Sequence, residues 1–444
     1  MVFMTYEKED VLRRVREEKI RTIQLWFVDI LGFLKCISIT SRELESAFEY
    51  GKGFDGSSIA GFAEAEESDI LARPDPSTFY LLPWTVGENI VARMFCDIFT
   101  PDGEPYPADP RAILRRVTER ARKKGFAYLV GPELEYFYFG SEKVPEVIDQ
   151  GGYFELISND FAETLRNQAV KALETMEIPV EASHHEVSPS QHELDLQYAE
   201  ALVMADSVVT ARMVVKEIAS QSGVHATFMP KPLPNVNGSG MHTHQSLFQN
   251  GNNAFFDPES EHHLSLVAQQ FMAGQLRHVR EFCAVTNQWV NSYKRLVPGY
   301  EAPVYISWAR RNRTALIRVP DYRRGNEKAT RIEIRSPDPA CNPYLAFAVL
   351  LAAGLKGIEE QYELPPPVEP NIYKMQATER AERNLEALPV SLHEARKLMQ
   401  ESELVRQTLG DHVFNKFLIN KEMEWEEYRT QVTPLELKKG LASL

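Results

Sequence analysis

The run GPELEYFYFG, residues 131 to 140, sets two carboxylates two positions apart among aromatic side chains. The stretch from Tyr128 to Phe139 is rich in Tyr, Phe, Leu and Val and is punctuated by Gly125, Gly131 and Gly140, which reads as a β-strand. Side chains on a strand alternate between faces, so Glu133 and Glu135 share one. Like charges beside apolar neighbours repel and lose hydration, which a cation or hydrogen-bond donors must offset. A solvated edge strand with two wet glutamates is the alternative, and the rest of the chain has to decide between them.

Three further strand-like segments carry polar residues at period two. EASHHEVSPSQHELDLQ holds Glu186 and Glu193 on either side of a Ser188-Pro189 turn, GMHTHQSLF places His242 and His244 on one face, and RIEIRSPDP does the same for Arg331, Glu333 and Arg335. If these strands share a sheet with 131 to 139, one face collects Glu133, Glu135, Glu186, Glu193, Glu333 and His242. Without counter-ions that face is strongly destabilising. An oxygen-rich set of this kind suits Mg²⁺ or Mn²⁺ rather than zinc. Two such ions nearly neutralise five carboxylates, and a pair of ions is a recurring device in phosphoryl transfer. Taken singly, each glutamate also reads as a hydrated surface carboxylate, and His184, His185, His192 and His244 as satisfied structural histidines.

Other segments narrow the chemistry. No GxxxxGK[ST] phosphate loop occurs, and GKGFDG at 51 to 56 matches GxGxxG but follows a helix and precedes none, so a dinucleotide fold is not indicated. That glycine-bounded loop with Asp55 could instead hold a cation or a substrate amine. NGSG at 237 to 240 would let backbone amides approach a substrate closely. LVPGYEAP, 296 to 303, is bracketed by prolines and carries Glu301, as a lid would. In ARRNRTALIRVP, Arg311 and Arg313 share a face; guanidinium forks fit carboxylate and phosphate oxygens, while surface ion pairing is the alternative.

A chain of 444 residues exceeds what one core usually supports, which predicts two domains. The Pro-rich polar segment TPDGEPYPADP, 100 to 110, marks the boundary. Before it come a helix from about Lys8 to Lys19, a hairpin from RTIQLWFVD and FLKCISI, the helix SRELESAFEYG, the glycine-rich loop, and strands FYLLPW and NIVARMFCDI. After it, helices near 110 to 124, 160 to 176, 198 to 221, 262 to 290 and 342 to 360 alternate with strands, an α+β order with helices on the outer side of an antiparallel-rich sheet. Lys plus Arg number 49 against 63 Asp plus Glu, a formal charge of −14 that argues against nucleic-acid or anionic-membrane partners. Cys36, Cys96, Cys283 and Cys341 form no CxxC pair, and the N-terminus turns charged too early for a signal peptide, so a reducing cytoplasm is expected. The apolar run YLAFAVLLAAGL, 344 to 355, is too short to span a bilayer and reads as a buried helix capped by Asn342-Pro343.

FDGSSIAG, PELEYF, HHEVSPSQHE, PNVNGSGMHTHQSL, NSYKRLVPGYEAP, RRNRTALIR and RIEIRSPDPACNPYLA, in this order and spacing, resemble class I glutamine synthetase in its short, non-adenylylated alpha-type form. The resemblance runs over nearly the whole chain. It implies a small N-terminal β-grasp domain (1–103) and a catalytic domain (104–444) with a curved antiparallel sheet flanked by helices. It also implies a homo-oligomer, a dodecamer of two stacked hexamers with active sites between ring neighbours. Glu135, Glu186 and Glu193 match the ligands of one Mg²⁺ or Mn²⁺; Glu133, His242 and Glu333 match those of another. Glu181, His244, Ser246, Arg318, Lys328 and Arg331 match ATP-binding positions, and Asn237, Gly238, Arg295, Arg313 and Arg335 positions that hold glutamate or the transferring phosphoryl group. Asp55 matches the residue that binds and deprotonates ammonium, and Glu301 the flap residue that shields the intermediate.

The activity implied is ATP-dependent ligation of ammonium to glutamate through γ-glutamyl phosphate. Two departures stand out. NIYKMQ carries Lys374 and Gln376 where adenylylated relatives have an acid and a proline, so Tyr373 is not expected to be modified. Glu64 stands where short-form relatives place an arginine for glutamine feedback, which speaks against that route. Two other readings stay open: a γ-glutamyl-amine ligase using a polyamine or other amine, against which Asp55 and Glu301 speak, and a catalytically silent homologue. A small regulatory protein or a transcription factor is a further partner consistent with the resemblance.

Overall fold

The computed structural model describes residues 6–57, 59, 61, 69–156, 161–321 and 325–443; Glu64 lies outside them. The β-branched and aromatic run TIQLWFV forms β1 (Thr22–Val28), and the turn at Gly32, φ 83°, returns the chain into β2 (Leu34–Thr40). The two pair antiparallel from Thr22↔Thr40 to Val28↔Leu34, the expected hairpin. The GKGFDG segment differs from its expectation. Gly51, φ 77°, ends the helix Leu44–Tyr50, and the chain passes straight into β3 (Lys52–Asp55), which pairs with β4 (Asp69–Pro74). Phe54 explains the strand: its ring packs on Phe27, centroids 4.8 Å apart, against the core. Of FYLLPW only β5 (Tyr80–Leu81) pairs, with β6 (Val91–Phe99). The order is β2-β1-β6-β4-β3, with β1 and β6 parallel.

A second sheet holds β7 (Ala127–Phe139), β8 (Val180–His185), β9 (Gln191–Leu196), β10 (Ala199–Glu200), β11 (His225–Thr227), β12 (Met241–Gln249), β13 (Asn252–Asn253), β14 (Trp308–Ala309), β15 (Ile317–Arg318) and β16 (Ile332–Ile334). Its path is β14-β15-β16-β12-β7-β9-β8, antiparallel except between β14 and β15. On β7, Val130, Leu134, Tyr136 and Tyr138 are buried on the face opposite the glutamates. Helices Ala201–Gln221 and Leu266–Thr286 cover that face; Gln275 of the second donates to Gln245 of β12 at 2.7 Å.

The apolar run of 344 to 355 lies in the buried helix Pro343–Glu359, with the Asn342 side chain accepting from the Tyr344 and Leu345 amides. It crosses Leu266–Thr286 closely enough that a Cβ on Gly274 would lie 2.1 Å from the Ala353 carbonyl, so only glycine fits. Asn342 also donates to the Asp29 and Ile30 carbonyls, at 3.0 and 3.2 Å, which ties the β1–β2 turn to the second sheet's helices. Among the described residues no helix is long and apolar enough to cross a membrane.

Candidate active site

Strand register assembles the site. Glu133 of β7 pairs with His242 of β12 on one side and Asp195 of β9 on the other, and Glu135 pairs with Glu193, which pairs with His184 of β8. One row along, His244 pairs with Glu333, and Glu333 with Arg318. Directly opposed residues share a face, so the period-two reading converges on one polar surface.

Glu133 Oε2 lies 3.0 Å from His242 Nδ1, and its Oε1 lies 2.7 Å from His244 Nε2. Arg331 Nε donates to His244 Nδ1 at 3.2 Å, so that nitrogen accepts and the His244 proton sits on Nε2, toward Glu133. Burial opposes ionisation of Glu133, yet the two histidine bonds hold it well below the usual carboxylate range. Burial also works against Glu333, but Arg335 and Arg318 bind it, and it stays at about 2. His242 is pushed down to about 4 by burial and by Arg335.

The other carboxylates are not compensated in this way. Burial and Glu186 push Glu135 up to about 8, although Arg295 and the Gly240 amide, 2.9 Å from Oε2, oppose this. Burial, then Glu135, Glu133 and Asp195, drive Glu193 well above its ordinary value, and burial puts Asp195 at about 6. Ligand atoms of His184, Glu193 and Asp195 lie within 4.8 Å of one another, as do those of Glu133, His244 and Glu333. Crowded oxygens that resist ionisation for want of positive charge fit hard divalent cations.

Glu133, Glu135, His184, Glu193, Asp195, His242 and Glu333 line a cavity of about 420 Å³ that also takes in Glu186, Asn237, Gly238, Arg295, Glu301, Arg313 and Arg335. The NGSG segment supplies closeness as expected: a Cβ on Gly238 would lie 2.2 Å from the Pro230 carbonyl, and one on Gly240 2.5 Å from Arg295 Nη2. Arg295 is buried and donates to the Ser336 and Arg335 carbonyls at 2.7 and 3.0 Å. Glu301 sits at the rim at φ 55°, a left-handed value that costs a glutamate energy, with Asn237 Nδ2 3.4 Å from its carboxylate. The Tyr373 hydroxyl donates to the adjoining Ala302 carbonyl.

A second cavity, about 410 Å³, is lined by Glu181, His244, Ser246, Lys328 and Arg331; Glu133 and Asp195 line both. Arg331 and Arg335 therefore part company, the first turning to the second cavity and the second to the first. Arg318 lines the first cavity rather than the second. Arg311 lines neither; its backbone amide bonds Glu369. Asp55 is not brought to either cavity of its own chain: it stands exposed on β3, its carboxylate accepting from the Ser57 amide at 2.8 Å. Asp195 and Tyr153 are among the cavity residues that escaped the sequence reading. Asp195 follows Glu193 by two positions, so the same period-two rule would have found it, whereas Tyr153 has no such signal.

With this geometry in view, comparison with known proteins is decisive. Family models described as the glutamine synthetase β-grasp domain and catalytic domain match residues 19–101 and 107–439. The chain belongs to the glutamine synthetase family. The glutamine synthetase of Mycolicibacterium smegmatis is 53% identical, covering 99% of this chain and 100% of the relative. Those of Methanosarcina mazei and Thermotoga maritima are 51% and 50% identical, each over 98% of this chain and 98% and 99% of theirs. Among solved structures, a GmaS/ADP complex superposes with a TM-score of 0.88 at 31% identity, over 98% of this chain and 99% of that one. The β-grasp unit and the curled catalytic sheet with its helices are thus family features.

Proposed function

We propose that this chain ligates ammonium to the γ-carboxylate of L-glutamate at the expense of ATP, giving L-glutamine, ADP and phosphate through γ-glutamyl phosphate. The observation that carries the reading is the pair of adjacent cavities, one lined by carboxylates and arginines, the other by Lys328, Arg331 and Ser246, with Glu133 and Asp195 in the wall of both. Relatives at about half identity over the full chain support it.

Glu135, Glu186 and Glu193 would hold one Mg²⁺ or Mn²⁺ and Glu133, His242 and Glu333 a second. When bound, such cations neutralise these carboxylates and polarise phosphoryl oxygens. The remaining steps use the chain's own groups. Lys328, Arg331, His244, Ser246, Glu181 and Arg318 hold the nucleotide so that its γ-phosphate faces the first cavity. Asn237, Gly238, Arg295 and Arg335 orient glutamate for in-line attack by its γ-carboxylate oxygen, and Arg313 meets the charge spreading over the transferring group. Glu301 closes the rim and keeps water from the acyl phosphate. Asp55 binds ammonium and takes its proton, and ammonia then displaces phosphate.

Since Asp55 is remote within one chain, the reading includes a site shared with a neighbouring subunit, in a dodecamer of two stacked hexamers, and a division into domains 1–103 and 104–444. The test is phosphate release from ATP with Mg²⁺ or Mn²⁺, omitting glutamate and ammonium in turn, with glutamine measured in parallel. Release that needs both substrates and equals glutamine formed is the expected result; release with glutamate alone, or with another amine preferred, would overturn it.

A further inference from the structure

Behind the turn that carries Glu186 and Glu193 lies a second set of ionisable side chains. His185 and His192, each adjacent to a site glutamate and paired across β8 and β9, point away from the cavity and have no exposed side-chain surface. Asp149 meets both. Its Oδ1 accepts from His185 Nε2 at 2.7 Å, the Ser190 amide at 2.9 Å and the Gly151 amide at 3.1 Å, and its Oδ2 faces His192 Nε2 at 3.3 Å. Ser190 Oγ, inside the turn, accepts in return from the amides of Ile148 and Asp149 at 2.7 and 3.2 Å.

The partners assign the protons. His185 Nδ1 lies 2.7 Å from the Glu186 carbonyl, so both ring nitrogens face acceptors and both carry hydrogen, an imidazolium paired with the Asp149 carboxylate. His192 Nδ1 faces Arg166 Nη1 at 2.9 Å, and a guanidinium only donates, so His192 is neutral with its proton on Nε2, toward Asp149. One carboxylate thereby holds the turn by hydrogen bonds at two points, the Glu186 carbonyl through His185 and the Ser190 backbone, with His192 Nε2 in electrostatic contact 3.3 Å from its Oδ2. The Phe154 amide also bonds the His185 carbonyl at 3.1 Å, which anchors the segment that brings Tyr153 to the cavity.

We propose that Asp149 is a positioning residue for the cation-binding carboxylates, locking the turn from behind so that Glu186 and Glu193 enter the cavity already placed. The inference rests on reading the cavity as a divalent-cation site. Glu135 and Glu193 sit opposite one another in register, so a turn held from behind presents Glu193 already facing Glu135, whereas a released turn must be drawn into place as a cation binds.

The test measures Mn²⁺ binding to metal-stripped full-length protein by the electron paramagnetic resonance signal of free Mn²⁺, with Glu186→Gln as reference. Asp149→Asn keeps the side-chain size but loses the charge facing His185. It is expected to weaken Mn²⁺ binding at least about tenfold, with kcat recovering at excess Mn²⁺ while the activating concentration rises. A smaller shift in folded protein overturns the proposal. Should Asp149→Asn fail to fold, Ser190→Ala frees the Ile148 and Asp149 amides without burying a charge; at least about fivefold weaker binding supports the clamp, and less overturns it. If wild type binds no Mn²⁺, or Glu186→Gln binds it unchanged, the cation reading itself fails, an outcome distinct from failure of the clamp alone.

Discussion

Arg111 donates to Asp206 through Nε and Nη2, the latter 3.0 Å from Oδ2. The same guanidinium reaches Asp75 at 2.7 Å and Asp97 at 2.6 Å, both from the first sheet's part of the chain, while Asp206 lies on a helix backing the second. The Tyr344 hydroxyl adds a bond to Asp206 at 2.6 Å. One buried cation therefore joins the two sheets at the start of the helix that follows the linker. Arg111→Met leaves three carboxylates facing one another, and breaking a buried pair of this kind costs about 3–5 kcal/mol per protomer. Thermal unfolding followed by circular dichroism should show a midpoint lower by several degrees; an unchanged midpoint would show the network to be dispensable.

The same network sets an acid limit. Burial raises the Asp75 pKa, but Arg111 and the Ser77 hydrogen bonds outweigh it and leave the group below its ordinary value. A carboxylate depressed in the folded state stabilises the fold above its unfolded pKa, and that stability is lost as pH falls through the folded value. Stability carried by Asp75 is therefore complete above about pH 4 and declines below it. Asp75→Asn should melt lower at pH 7 and show a shallower acid limb than wild type. Parallel acid limbs in the two proteins would count against this assignment.

Gly240 tests how closely the wall proposed to hold glutamate is packed. A methyl group there would meet Arg295 Nη2 at 2.5 Å and His242 Nε2 at 3.0 Å. Arg295 is fixed by two carbonyls and cannot step aside freely. Gly240→Ala should raise the KM for glutamate at least about tenfold, by displacing a group that must be placed within a fraction of an ångström, and cost roughly 1–3 kcal/mol of stability from overpacking. Steady-state kinetics with glutamate and with ATP varied separately would locate the effect; an increase in KM for ATP alone would contradict it.

Much of this site was legible because strands write their faces into the sequence at period two. Glu133, Glu135, Glu193, His242 and Glu333 lie on one surface for that reason, and Asn342-Pro343 announced its helix by capping chemistry. Where elements are very short the rule loses force. β16 spans only Ile332–Ile334, so Arg331 and Arg335 flank it and diverge into different cavities although they share a parity with Glu333. Gly51, Gly53 and Gly56 disguised β3 as a loop, since glycine weakens a strand signal whose pairing with β4 is set by Phe54 and the sheet edge. Tyr153 belongs to an irregular segment whose place depends on the buried bonds of Asp149, which no local pattern encodes.

Asp55 and Glu333 lie on different sheets, with Asp55 absent from the cavity that Glu333 lines. If the site is shared between neighbours, Asp55→Ala and Glu333→Ala proteins, each inactive alone, should regain partial activity when co-assembled, because some interfaces combine two intact halves. Verified mixed oligomers with no recovery would contradict a site built between subunits.

In the proposed reaction glutamate's γ-carboxylate attacks ATP across the adjacent cavities before ammonia enters. The most direct measurement uses glutamate labelled with oxygen-18 in the γ-carboxylate, with mass analysis of the phosphate released. Attack by the carboxylate and later cleavage of the carbon–oxygen bond by ammonia carry one labelled oxygen into every phosphate. One labelled oxygen per phosphate is the expected result; unlabelled phosphate formed alongside glutamine would contradict carboxylate attack.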